Sequence, residues 1–416
     1  MKTSSLVLYA VVFFVIVTLL QSGSVSGAEY HGLVSMDDYY SSDSASTYDF
    51  HLLTTRVRLD AGKLNKAGNI AFHFEGRERS NLGSKDYSRS SRNEQIDVLN
   101  LDYTGRGKVY MAAGRLWPKE LYAERVDGIN IMRQLSDSGF GFFAGTKPDP
   151  YSQGFNSNFT AAGVYYYRHK KNNAANFAVI HNGYKGKTDR QYFYGQTSYF
   201  PSNKISLFGT MTADIDQTTK GINLSNAIVE LSYRPDYRKG LTVGYNYFRA
   251  IRFYQSMDFD IDTGRQQSYY IQGDFRLTDK YALYGRFNLQ TLNYNSFEQK
   301  LSSSTTYQIG LRNDNLFNRQ ISMDLNATKA DSYGSRYDTY EIQFSRYFND
   351  VLQLTLHSAY LQSTSDITDY TDNTITYDFS GYYSISRMWS LSLSYQGMEA
   401  KDYNTNTISS RISYKF

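Results

Sequence analysis

Ile408-Ser409-Ser410-Arg411-Ile412-Ser413-Tyr414-Lys415-Phe416 closes the sequence, and its residues alternate in character. Ile412, Tyr414 and Phe416 share one parity, while Arg411, Ser413 and Lys415 share the other. Successive side chains of a strand point to opposite faces, whereas helix faces repeat about every 3.6 residues. The period of two therefore predicts a strand over 408–416 with one oily and one polar side.

The same period runs upstream. Trp389, Leu391, Leu393 and Tyr395 alternate with Ser390, Ser392, Ser394 and Gln396. Ile375, Tyr377, Phe379, Gly381 and Tyr383 alternate with Thr376, Asp378, Ser380, Tyr382 and Ser384. Ile321, Met323, Leu325 and Ala327 repeat the pattern, as do Tyr307, Ile309 and Leu311. After residue 28 no segment carries a helical period. A soluble β-sandwich alternates in the same way, so alternation alone leaves two architectures open.

Composition narrows them. The chain has 416 residues, 41% hydrophobic, with 40 Tyr, 25 Phe, 5 Pro and no Cys. Its mean hydropathy of −0.54 excludes a bundle of membrane helices. The absence of Cys excludes disulfides, thiolate metal sites and covalent c-type haem. Forty-four basic and 40 acidic residues give +4, too balanced to argue for nucleic acid. The N-terminus carries Lys2, an apolar run from Leu6 to Leu20, and small residues Ser26-Gly27-Ala28. That is the pattern of a secretory signal cleaved after Ala28; the run, about 15 residues, is short for a retained helical anchor. An exported chain without disulfides needs a large core or a membrane to stabilise it.

Three features favour a membrane barrel. Strand segments run about 10 residues, enough to cross a bilayer when tilted. Aromatic residues gather toward segment ends, as in Tyr281 and Tyr284, Tyr245 and Tyr247, and Tyr165 to Tyr167, where interfacial girdles form. Connections also alternate in length. The tight ones are 63–68, 104–108, 201–204, 278–280, 349–350 and 386–388. Between them lie longer polar ones at 81–93, 148–158, 255–265, 293–304 and 363–373. About 22 segments fit between His31 and Phe416, with about 18 or 20 as alternatives, an even number that puts both ends on one side. The count is weakest over 108–158, where Trp117-Pro118-Lys119-Glu120 interrupts a strand and 139–145 is poorly patterned.

The terminal strand resembles the C-terminal insertion strand of Gram-negative outer-membrane β-barrels, and the mature chain resembles porins in its architecture. The resemblance implies that Ile412, Tyr414 and Phe416 form the barrel-insertion signal. It implies an all-β fold: one transmembrane antiparallel up-and-down barrel over 29–416, integral to the bacterial outer membrane; with almost nothing ahead of the first segment after residue 28, no plug domain is expected. It also implies partners: outer-membrane lipid, lipopolysaccharide and the barrel assembly machinery.

If the apolar face meets lipid, the other face lines the lumen. Arg56, Arg58, Glu75, Arg77, Arg79, Asp274, Arg276, Arg286 and Arg312 are the candidate lumen charges, joined by Asp60, His73, Glu230, Glu341, Asp378 and Arg411. A charge on the lipid side costs about 2–4 kcal/mol near the midplane, so this regular placement fits a wet interior. The charges serve either as ion-pair ladders of the wall or as an arginine ring that selects anions.

No chemistry stands out. The six His are scattered without a metal-binding spacing, and no nucleophile elbow is present. Asp258, Asp260 and Asp262 begin like an acidic calcium loop but lack its closing Glu. Asn158-Phe159-Thr160 is a sequon without meaning in a bacterial envelope. Neither an enzyme nor a cofactor is expected. The resemblance implies passive passage of polar or ionic solutes. Two other functions stay open: a sheath around a lumen-occupying or periplasmic partner, such as a multihaem cytochrome or polysaccharide-export machinery, and a structural or adhesive surface barrel. A wide unplugged barrel leaks unless loops fold inward or a partner fills it.

Overall fold

The computed structural model describes residues 28–44, 49–83, 94–105, 107–121, 123–150, 152–215, 221–251, 264–293, 303–365 and 368–416. Residues 1–27, where the secretory signal is expected, and the Asp258–Asp262 cluster lie outside the described residues. Every regular element among them is a strand. The first eight are β1 (Glu29–Asp43), β2 (Phe50–Gly62), β3 (Ile70–Asn81), β4 (Glu94–Thr104), β5 (Val109–Leu116), β6 (Val126–Gln134), β7 (Ser138–Thr146) and β8 (Phe159–Lys170). Then come β9 (Asn173–Tyr184), β10 (Lys187–Ser202), β11 (Ile205–Ile215), β12 (Ile222–Asp236), β13 (Lys239–Arg249), β14 (Arg265–Arg276) and β15 (Tyr281–Asn293). The last are β16 (Ser303–Leu316), β17 (Ile321–Ser332), β18 (Ser335–Phe348), β19 (Leu352–Ser365), β20 (Tyr370–Ser384), β21 (Trp389–Glu399) and β22 (Asn404–Lys415).

All belong to one 22-stranded sheet. Each strand pairs antiparallel with its neighbours in sequence, and β1 pairs with β22 from Leu33↔Lys415 to Asp43↔Thr405. The sheet is a closed barrel, which leaves no edge strand and satisfies the backbone between strands.

Register fixes which side each residue faces. Leu283, Ile309, Val229, Leu231, Leu393 and Ile412 share the exposed apolar parity. A belt of that kind is stable only against lipid. The polar parity, which includes Arg286, Gln308 and Ser392, turns inward. Short connections such as 63–69, 171–172, 237–238 and 349–351 share one end with Glu29 and Phe416. This is the periplasmic end of such barrels; the longer connections mark the extracellular end. Two tight turns break the rhythm there. Lys185-Gly186 (φ 49 and 77) and Tyr333-Gly334 (φ 52 and 83) are two-residue turns with both φ positive. Such turns match strand twist, and Gly at the second position lowers their strain.

The seam is covered by the terminal aromatic residues. The Gly32 N–H donates to the Phe416 carbonyl at 2.9 Å, and the Phe416 N–H donates back at 3.1 Å. The Phe416 ring lies where a Cβ of Gly32 would stand. Tyr414 lies between the Phe416 and Trp389 rings, with centroids 5.9 and 4.6 Å away. Ile412, Tyr414 and Phe416 thus lie on the outer face beside Val34 and Met36.

Candidate functional site: the lumen and an inward connection

The lumen contains two charged fields. In the first, beside the seam, Asp37 on β1 bonds Arg411 of β22 and lies 3.6 Å from Arg56 of β2. Arg56 stands opposite Arg77, Arg58 opposite Glu75, and Thr54 opposite Arg79. Arg58 pairs with Asp60 at 3.0 Å, and Arg77 donates to Gln95 at 2.8 Å with Asp97 at 3.9 Å. His73 lies between Asp60 (2.7 Å) and Asp102 (3.5 Å). Asp37, Arg56, Arg79 and Arg411 border a cavity of about 700 Å³ that reaches Tyr382 and Ser392.

The second field lies across β12–β17. Arg234 pairs with Asp274 (3.3 Å), Arg276 with Asp314 (3.2 Å) and Arg312 with Asp324 (3.0 Å). Arg286 is different: its guanidinium lies 4.4 Å above the Tyr270 ring. It has no ion-pair partner among the described residues, and neither has Arg79. The Tyr270 hydroxyl donates to Glu230 at 2.5 Å, and the Tyr284 hydroxyl donates to Asp324 at 2.6 Å. Each ring also lies across a neighbouring glycine. A Cβ on Gly244 would meet the Tyr270 ring at 2.1 Å, and one on Gly310 would meet the Tyr284 ring at 2.1 Å. An inward Tyr covering a wall glycine therefore seals the sheet and presents a hydroxyl to an acid.

On these strands every candidate lumen charge takes the inward parity. The aromatic girdle is corrected in part. Tyr281, Tyr245 and Tyr247 face outward, whereas Tyr284 faces inward over Gly310. Tyr165 and Tyr167 are inward and 4% exposed, while Tyr166 between them is outward.

Those two tyrosines are covered by the 117–125 connection. It leaves β5 at Leu116 and folds into the lumen against β6–β10. Leu116, Leu121 and Val126 are buried with Phe143, Tyr165, Tyr167, Ile180 and Tyr192 in one cluster. Outer residues of the same strands stay bare, as with Val164 (60% exposed) and Phe140 (53%). The described tip residues reach deep. Lys119 lies 4.5 Å above the Tyr110 ring, and Glu120 stands 3.6 Å from His169 near the periplasmic end. Asn130 is fully buried beneath it. In the orientation that satisfies both ends of its amide, Asn130 donates to the Tyr165 hydroxyl (2.9 Å) and the Phe142 carbonyl (3.1 Å) and accepts from the Lys119 N–H (3.2 Å).

Glu124 anchors the returning half. Tyr192 donates to its carboxylate at 2.7 Å, Asn182 donates at 2.8 Å, and Lys147 lies at 3.0 Å. Arg125 reaches Asp97 of β4 at 3.1 Å. Nearby, Gly114, Gly128 and Gly145 form a row across β5–β7. A Cβ there would meet the Leu99, Ala144 and Asp127 carbonyl oxygens at 2.1, 2.1 and 2.6 Å. The wall bends tightly where the connection turns inward. The sequence marked 117–120 only as a strand break; Pro118, Glu124 and the glycine row were the available signals.

An apolar outer belt around a closed barrel with a charged interior decides the setting. The chain is an integral membrane β-barrel of 22 strands, the architecture of outer-membrane barrels. Comparison with solved structures finds it similar to OpdQ of Pseudomonas aeruginosa (TM-score 0.47, 10% identity, 93% of this chain and 99% of that one). It is also similar to a BenF-like porin from Pseudomonas fluorescens Pf-5 (0.48, 10%, 95% and 100%). The translocation pore of the P pilus usher PapC is similar to the same degree (0.48, 10%, 92% and 99%). No family model matches the sequence, and no curated protein matches it.

Proposed function

We propose that this barrel is a passive channel for polar or ionic solutes, narrowed by its own 117–125 connection. The observation that carries this reading is the division of the lumen. One side is dry, with the connection packed on Tyr165, Tyr167 and Tyr192. The other side is wet and charged, with the Arg56–Asp37–Arg411 and Arg312–Asp324 fields and no comparable cover among the described residues. A solute on that side meets alternating guanidinium and carboxylate groups, which replace part of its hydration as it passes. No covalent step is required. Selection rests on size at the constriction and on the local field.

The inward connection also supports a channel over a sheath, since a guest protein would have to displace a segment anchored by Glu124. The test is conductance of the purified, folded barrel alone in a planar bilayer. Stable single-channel steps are expected. Folded barrel that co-purifies with a lumen-occupying protein and conducts only once that protein is removed would replace this reading with the sheath.

A further inference from the structure

The periplasmic rim of β6, β7 and β8 has a chemistry that the channel does not use. Arg133 stands opposite Phe140, and Phe140 opposite Tyr166, so all three share the outer face. Arg168, two residues beyond Tyr166, faces outward with it. The two arginine backbones lie roughly 12 Å apart, two strand spacings across and two residues along. Lys170 follows on the same parity, with Lys171 in the adjacent turn. Asp137 stands 3.9 Å from Lys170, but neither Arg133 nor Arg168 has an ion-pair partner among the described residues. Phe140 and Tyr166 stand level with Arg133, and Phe142 and Val164 follow toward the membrane, all four exposed.

Outward charges at the extracellular end behave differently. Arg115 is held by Asp127 at 2.6 Å, and Lys329 lies 3.8 Å from Asp338. On the periplasmic side the arrangement recurs at Arg346, which faces outward beside Ile321. Its guanidinium lies 4.4 Å over the Phe348 ring, and its Nε is buried without a hydrogen-bond partner. Unpaired guanidinium groups above an apolar lipid-facing wall match a phosphate at headgroup depth, with acyl chains below.

We propose that the β6–β8 rim is a binding site for an anionic phospholipid of the periplasmic leaflet. Its phosphate lies between Arg133 and Arg168, Lys170 adds to the field, and an acyl chain lies along Phe142 and Val164. A free anion would gain the charges but not the apolar wall.

The test uses the full barrel in mild detergent and native mass spectrometry with phosphatidylglycerol or phosphatidylcholine. Two basic residues near a membrane surface, at about 1 kcal/mol each, predict roughly a thirtyfold preference for phosphatidylglycerol. The R133Q/R168Q variant, verified as folded by its heat-shifted gel band, should lose that preference. R133K/R168K and Lys329→Gln should keep most of it. Equal retention of both lipids by the native barrel overturns the proposal, as does an unchanged preference in the folded Gln variant. Displacement of the lipid by inorganic phosphate, but not by chloride at equal ionic strength, assigns the arginines to a soluble anion and also overturns it.

Discussion

The Tyr192 hydroxyl on the barrel wall donates a 2.7 Å hydrogen bond to Glu124, a carboxylate carried into the lumen by the 117–125 connection. Asn182 and Lys147 share that carboxylate. Removing it leaves buried polar groups unpaired, at about 1–3 kcal/mol for each group. Glu124→Ala should therefore release the returning half of the connection and raise single-channel conductance. Tyr192→Phe removes one of the three contacts and should act in the same direction, more weakly. Unchanged conductance in both folded variants would show that the connection does not limit flow.

Charge selectivity should divide by pairing. Arg286→Gln removes an unpaired cation and should lower anion permeability relative to cation, by roughly twofold. Asp324→Asn frees Arg312 from its partner and should move the ratio the other way. Reversal potentials under a salt gradient read both. The shifts should shrink between 0.1 M and 1 M salt, as the screening length falls from about 10 to about 3 Å.

Adjacent residues of β20 should tolerate charge very differently. Phe379 faces lipid and Ser380 faces the lumen cavity. Phe379→Arg should destabilise the barrel by about 2–4 kcal/mol, and Ser380→Arg by far less. The temperature at which the folded gel band disappears compares them; equal losses would contradict the assignment of faces.

Glycines beneath inward tyrosines should resist even a methyl group. Gly244→Ala and Gly310→Ala place a Cβ 2.1 Å from the Tyr270 and Tyr284 rings. Each should cost about 1–3 kcal/mol by overpacking. Gly273→Ala, whose nearest neighbour is 3.9 Å away, should be nearly neutral on the same gel assay.

The sequence was most readable where one side of a strand meets lipid and the other meets water. From β11 to β22 that contrast holds, and alternations such as Leu391, Leu393 and Tyr395 against serine give face and order directly. It fades over β5–β10, because the inner side there meets the chain's own connection. Phe143, Ile180 and Tyr192 are inward yet apolar or aromatic, and Gly139, Gly141 and Gly145 carry no side chain to betray a face. Periodicity registers only the difference between two environments, and here both sides are apolar. Tight turns were readable at 63–68, 104–108, 201–204, 278–280, 349–350 and 386–388 and missed at Lys171-Asn172, Lys185-Gly186 and Tyr333-Gly334. The face that each candidate charge shares with its neighbours was legible residue by residue from parity. Their partners were not, since pairs such as Arg411 with Asp37 form across the seam.

That seam sets the tempo of assembly. Every other strand pairing joins neighbours in sequence, so it can form as soon as a hairpin has emerged. The contact between Ser41 and Thr407 spans 366 positions, nearly the whole chain. The entropy of closing so long a loop grows only logarithmically with its length, but non-local contacts of this kind form slowly. Until Phe416 settles over Gly32, a nearly complete sheet waits with two open edges, each able to capture a second copy. The longer that closure takes, the longer such edges stay open to pairing with another chain.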